Sequence, residues 1–278
     1  MARADLQINK GRILSIKDLP TLPSVLEEVI ELVENPRTST EQIARVISHD
    51  QVLSAKVLKM VNSPIYGFPG RIGSIHHALV LLGFNVIRGI VISTSVLDIM
   101  AQSMTRLWVH SIDCALVAGC IARRVGLKDP DEYSVAGLLH DLGKLIIALQ
   151  LPDMKSAIDE KIAQADTFPL TAEKEVLGFG HDRVNAWLAN HWNLPPSLEE
   201  GLSHHHKPHL ACTYPKFASV VHLADFVAHV MDSGPEDKEL VPYLEPKALE
   251  MLGLTIRDLG LIMEDFLARR SLVPSLTL

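Results

Sequence analysis

Apolar residues recur along this chain every three or four positions, with charged residues between them, and that period predicts helices almost throughout. Over 24–35, Val25, Val29, Leu32 and Val33 form one stripe opposite Glu27, Glu28, Glu31 and Glu34, and Pro36 stops the helix. Thr38 followed by Glu41 has capping-box spacing ahead of Ile43, Val46 and Ile47. Asp50 is placed to cap a third helix bearing Leu53, Val57, Met60 and Val61, which Asn62-Ser63-Pro64 ends. After a loop over 65–73, Ser74 can cap 75–82, Gly83 interrupts, and 85–104 reads as a further helix. His110, Cys114, Val117, Ile121 and Val125 make the stripe of the next, closed by Gly126. Asp129-Pro130-Asp131-Glu132 then supplies a cap, a proline at the first helical position and an acid at the third. Helices follow Pro152, His181 and Pro195-Pro196, and a strongly apolar one covers 216–231. Thr255 with Asp258 caps a last helix carrying Ile256, Leu259, Ile262, Met263, Phe266 and Leu267. No segment alternates apolar and polar residues long enough to make a strand, so the expected fold is all-α.

Composition narrows the setting. With 278 residues, 47% hydrophobic and 21% charged, the chain suits a soluble globular protein with a sizeable core. The net charge of −7 arises after residue 105, and no basic footprint for nucleic acid is present. Cys114, Cys120 and Cys212 have no CxxC spacing, which predicts reduced thiols in a cytoplasmic chain. Residues 1–20 lack the apolar run of a signal peptide, and the most apolar stretch, 78–97, is interrupted by Asn85 and Arg88. Neither export nor membrane spanning is expected.

Candidate chemistry concentrates in Gly-Leu-Leu-His-Asp-Leu-Gly-Lys at 137–144, where His140 and Asp141 offer a metal one neutral nitrogen and one anionic oxygen. Lys144, three residues on, could neutralise a phosphate beside that metal or lie as an ordinary lysine at a helix end. Asp225 sits between Leu223-Ala224 and Phe226-Val227, so it must be paired, bound to metal or on the wet side of its helix. The run His204-His205-His206 reads either as a solvated helix end or as part of a ligand set. His222 and His229 share a helical face with Asp225 and are expected to support ligands rather than bind metal themselves. His49, His76 and His77 stand in no constellation of carboxylates and are expected to be surface or hydrogen-bonded residues.

The order His110, His140-Asp141, Asp225 resembles the HD superfamily of metal-dependent phosphohydrolases, and the likeness extends further. LPTLPSVLEEVIELV, HDQVLSAKVLKMVNSPIYG, SIHHALVLLGFNVIRG, GLLHDLGKLII, GFGHDRVNAWLANHWNLP and HHHKP together resemble an HDOD domain, a bacterial signal-transduction module, over about residues 18–232. Gln51 stands where a proline would be more typical. The resemblance implies that His110, His140, Asp141 and Asp225 are metal ligands. The chain is also similar to the HD-GYP phosphodiesterases, which implies ligand roles for His181, His205 and His206. That set implies divalent metal ions, two of them bridged by Asp141, with iron, manganese, zinc and nickel equally compatible. After His206 the chain continues KPHLACTYPKF without a glycine-rich GYP segment, so hydrolysis of a cyclic dinucleotide is not expected. The expected organisation is an extension over 1–17, a helical lobe over 18–105, an HD-like metal-binding lobe over 106–232 and a C-terminal helical extension over 233–278. Two functions follow. One is a regulatory module that presents a surface to a signalling protein. The other is a metal-dependent phosphohydrolase in which Asp141 and Lys144 act on a phosphate ester or nucleotide.

Overall fold

The computed structural model describes residues 37–68, 71–165, 167–232 and 242–272, together with 11, 13, 28, 29, 31, 32 and 35. Every regular element among the described residues is a helix. Contacts divide the chain into two compact units, Pro20–Leu139 with Leu254–Leu278, and Met1–Leu19 with His140–Gly253.

In the first unit, the helix expected over 24–35 lies largely outside the described residues; Glu28, Val29, Glu31 and Leu32 are helical and Val29 is buried. Helix α1 (Thr40–His49) opens one residue later than the Thr38/Glu41 pattern suggested. The hydroxyl of Ser39 accepts the Gln42 N–H, and the Gln42 side chain accepts the Ser39 N–H at 2.8 Å. Gln42 makes that return bond because it is the third residue of a helix capped at Ser39; the Glu41 carboxylate lies 3.2 Å from His76 Nε2. Helix α2 (Gln51–Val61) is capped by Asp50, whose Oδ1 accepts the N–H groups of Val52 and Leu53. Asn62 ends it and pins the following loop, accepting the Ile72 N–H at 2.8 Å and donating to the Ile72 carbonyl at 2.9 Å.

Helix α3 (Ile75–Ser103) is two helical stretches joined at Gly83, whose φ of 76° only glycine adopts without strain. Ile75–Thr94 has the length and mean hydropathy, 1.7, of a membrane span, but 56% of that apolar window is buried inside the fold. Helix α4 (Thr105–Arg124) ends before Gly126, which takes φ 68°, and α5 (Pro130–Leu139) begins on the expected proline. These two helices come into backbone contact. A Cβ at Gly137 would lie 2.6 Å from the Cys114 carbonyl oxygen and 3.0 Å from Ala115 Cα, and one at Gly119 would lie 2.5 Å from Ser134 Oγ.

The second unit holds α6 (Leu142–Gln150), α7 (Pro152–Ala165), α8 (Pro169–Leu177), α9 (His181–His191), α10 (Pro196–His204), α11 (Pro215–Asp232) and α12 (Pro246–Leu252). The chain then returns to the first unit as α13 (Ile256–Arg270), capped by Thr255 with Asp258 as expected. Leu259, Ile262 and Phe266 bury its inner face, and Arg124 on α4 lies 3.8 Å from Asp258 and 3.5 Å from Asp265. The contacts therefore divide the chain after Leu139 rather than at residue 105. Helices α4 and α5 pack too closely to be parted from one another, which leaves His110 in one unit and the His-Asp pair in the other.

Gly137→Ala should lower unfolding free energy by about 1–3 kcal/mol, because the new methyl would meet backbone that cannot rotate away. Gly260→Ala on α13, where no atom lies within 4 Å of the added carbon, should instead be neutral or stabilising by up to about 1 kcal/mol. Urea midpoints of the two variants check this, and equal midpoints would contradict it.

Candidate metal centre

The site in the second unit is built around the carboxylate of Asp141, which stands at the N-cap position of α6 but makes no capping bond with its side chain. That carboxylate is 1% exposed and faces other side chains instead. Its Oδ2 accepts a hydrogen bond from Lys144 Nζ at 2.6 Å and lies 3.4 Å from His140 Nε2, while Oδ1 lies 3.2 Å from His181 Nε2. The three-residue offset on α6 returns Lys144 to the residue that begins the helix.

Close approach of α6 to α9 brings His181 in. A Cβ at Gly143 would collide with the His181 carbonyl oxygen and sit 3.0 Å from Asn185 Oδ1, so the glycine of the octet is a packing requirement. Asn185, fully buried on the same face of α9 as His181, ties three segments together. Its Oδ1 accepts the Gly143 N–H at 2.8 Å, and its amide donates to the carbonyls of His140 and, at 3.2 Å, of Leu202. The end of α10 delivers His205 and His206: His206 Nε2 is 2.8 Å and His205 Nε2 is 3.4 Å from His181 Nε2. From α11, Asp225 places Oδ1 3.5 Å from His140 Nε2 and 2.9 Å from His229 Nδ1.

Six of the seven expected ligands lie within the second unit: His140, Asp141, His181, His205, His206 and Asp225. His110 belongs to the other unit, on α4, where its Nε2 lies 3.4 Å from Cys114 Sγ. His222 does not point a nitrogen at the cluster. Its Nδ1 donates to the His205 carbonyl at 2.7 Å and its Nε2 accepts the Glu245 N–H at 2.9 Å, so it holds the backbone of His205 in place. His209 pairs with Glu245 at 3.2 Å.

Two contributing residues escaped the sequence reading. Glu173 is buried on α8, and its Oε2 is 2.7 Å from both the N and the Nδ1 of His181. Leu170, Glu173 and Leu177 are spaced three and four apart, so an acid on the apolar stripe was the available signal. Asn185 stands four residues after His181 and three before Leu188, again on an inward face.

These donors fit a metal ion. A carbonyl or an ionised carboxylate can only accept, so His205 Nδ1, 2.8 Å from the Leu202 carbonyl, and His181 Nδ1, beside Glu173, both carry protons. With Nδ1 engaged in this way, the two rings turn their Nε2 atoms toward one another, a pairing that a cation between them would favour. Two nitrogens about 2.1 Å from one tetrahedral ion would stand roughly 3.4 Å apart, which is the separation found. The nitrogens of His181, His205 and His206 all lie within 4.8 Å of one another.

The charge states agree with this. Burial, then the neighbouring His140 and His181, holds His205 well below the usual imidazole range, and burial followed by His205 and His181 does the same for His206. Burial also pushes His222 down. For Asp141, burial acts to raise the pKa, but His140, Lys144 and His181 outweigh it and hold the carboxyl well below the ordinary range. For Glu173 burial is again opposed and outweighed, chiefly by His181. For Lys144 burial acts downward, and Asp141, Asp225 and Glu173 together raise it. His205 and His206 are thus held uncharged and Asp141 ionised, the forms in which these groups ligate metal.

Helices enclosing a buried cluster of histidines and aspartates define an all-α protein with a candidate metal site. The chain belongs to the HDOD family, whose domain profile matches residues 19–208. A solved structure of a candidate phosphohydrolase from Shewanella amazonensis SB2B is 28% identical, with a TM-score of 0.69 over 93% of this chain and 94% of that one. An HDOD domain protein of unknown function from Geobacter sulfurreducens shares the fold at 24% identity and a TM-score of 0.66, covering 96% of this chain and 90% of that one. An uncharacterized protein of Treponema pallidum (strain Nichols) is 30% identical over 233 residues, which is 82% of this chain and 45% of that one. The chain spans less than half the length of this curated relative.

His205, His206 and His222 have folded-state pKa values below their unfolded value of about 6.5. Below that pH the unfolded chain takes up protons that the folded chain refuses. Their contribution is therefore complete above about pH 6.5 and falls as pH drops, by up to about 1.4 kcal/mol per pH unit for each histidine. Urea midpoints of chelator-treated protein should decrease from pH 8 to pH 5.5, and a flat or rising profile would contradict the assignment.

Proposed function

We propose that this chain is a bacterial, cytoplasmic signalling module that holds divalent metal in its histidine–aspartate site and works chiefly by presenting a surface to a protein partner. Enclosure carries this reading. His140, Asp141, His181, His205 and Asp225 are all at most 3% exposed, and His206 and Lys144 are only partly open. Structural metal sites are closed in this way, whereas catalytic ones keep a position open for substrate. His140, Asp141, His181, His205, His206 and Asp225 would hold the metal, and Asp141, with one oxygen toward His140 and the other toward His181, is suited to bridge two ions. The mixed nitrogen and oxygen set does not select among iron, manganese, zinc and nickel. Metal held there would join α6, α9, α10 and α11, so its loss would loosen the unit.

A second reading, hydrolysis of a phosphate ester or nucleotide, is favoured by one observation. Lys144 is 20% exposed with its ammonium beside Asp141, where it could exchange that partner for a phosphate oxygen. Bound metal would supply Lewis acidity toward a phosphoryl oxygen, and Lys144 would orient the ester. The likeness to the Shewanella candidate phosphohydrolase supports this reading. Cyclic dinucleotides are not proposed as substrates, since no glycine-rich segment follows His206.

Elemental analysis of the purified protein should find metal. Asp141→Ala should release it and lower the melting temperature, while His209→Ala should do neither. Inorganic phosphate titrated calorimetrically into metal-loaded protein should not bind. Tight phosphate binding that Lys144→Met removes with metal content unchanged would transfer the conclusion to the hydrolase, and metal-free wild type would overturn both readings.

A further inference from the structure

Glu173 stands outside the set of candidate ligands, yet it makes the shortest polar contact that His181 has. Its Oε2 is 2.7 Å from the backbone N of His181 and 2.7 Å from Nδ1 of the same residue. Both groups must donate, because an ionised carboxylate can only accept. One oxygen therefore fixes the first residue of α9 and the plane of its ring together. The helix needs this partner: its N-cap is Gly180, which has no side chain with which to satisfy the first N–H groups. The space there is tight: a Cβ at position 180 would displace the ends of the Leu170 and Asp182 side chains and stand 3.4 Å from Glu173 Oε2. The αL turn at Gly178, with φ 80°, ends α8 and folds the chain back so that a residue eight positions earlier can cap α9.

An imidazole carries its single proton on either nitrogen, and only the Nδ1–H form leaves Nε2 able to bind metal. In water the Nε2–H form is accessible too. At His181 that alternative would set a lone pair against a carboxylate that is only 4% exposed. We infer that Glu173 is a positioning residue for metal binding: it selects the Nδ1–H tautomer of His181 and aims Nε2 at Asp141, His205 and His206. The inference rests on the metal-binding reading above but is separable from it, because the tautomer exists with or without metal. His205 is set by a different means, a neutral carbonyl 2.8 Å away. His181 therefore differs from His205 in that a charged side chain sets its orientation, a support that one substitution can remove.

The test uses the full chain, stripped with chelator, labelled with 15N, and compared with Glu173→Gln and Glu173→Leu. In wild type the His181 ring nitrogens should report Nδ1–H and a lone pair on Nε2. The leucine variant should show the Nε2–H tautomer or a mixture. Calorimetric titration with zinc and with manganese should then show affinity falling about 10–100-fold, the range typical for removing the outer partner of a metal-bound histidine. Glu173→Gln, which retains an acceptor without the charge, should lie between the two. A merely structural glutamate would lower the melting temperature of the stripped protein without moving either readout. Finding Nε2–H on His181 in stripped wild type, in a neutral or doubly protonated ring, overturns the inference whether or not any variant folds. Unchanged tautomer and affinity in both variants also overturn it. Wild type that binds neither metal would instead overturn the metal-binding reading, with the tautomer still deciding the role of Glu173.

Discussion

A carboxylate with 1% of its surface exposed stays ionised only where surrounding charges and donors replace the water it has lost, and Asp141 meets that condition through three side chains. Lys144, His140 and His181 surround its two oxygens, and burial of the pair makes each of them costly to remove alone. The positions of α6, α9 and the end of α10 all follow from serving this group. Lys144 must lie one helical turn beyond it. His181 must come from a helix close enough that Gly143 can carry no side chain.

Around the donors runs a layer of contacts to backbone. Asn185 joins the start of α6 to α9 and α10. His222 joins α11 to His205 and onward to Glu245. Neither offers an atom to the cluster, yet each sets where a donor's main chain lies. Rings whose outer nitrogens are engaged cannot swing away from their partners, so their lone pairs are held facing one another before any cation arrives. Histidines with lowered proton affinity are accommodated in this interior because His205 is hydrogen-bonded through Nδ1 and both it and His206 are held uncharged.

The HDOD profile over 19–208 takes in helices of both compact units, so the family is defined by neither unit alone. Helix α13 lies beyond the profile and is part of the first unit, held to α4 by Leu259, Ile262, Phe266 and two ion pairs of Arg124. The segment that ends at α12 is tied by the His222–Glu245 contact to the helix that carries Asp225. Residues beyond the profile therefore take part in both units.

The amino-acid sequence by itself determined what depends on neighbours along the chain. Caps at Asp50, Ser74 and Thr255, stops at Gly83 and Gly126, and the all-helical character were legible because a capping bond or a helical stripe spans only a few residues. The capping box at Ser39 was misplaced by one residue, since Thr38/Glu41 and Ser39/Gln42 both have the required spacing and nothing local chooses between adjacent hydroxyls. The His140-Asp141 pair and Asp225 stood out because such side chains are rare in apolar runs, whereas ligand roles for His181, His205 and His206 came from the family resemblance. Tertiary structure alone decided that Glu173 serves His181, that Asn185 clips three segments, and that the units divide after Leu139. Each of these is a matter of which backbone approaches which, and a period of 3.6 residues specifies the inward face of a helix without specifying the helix it will meet.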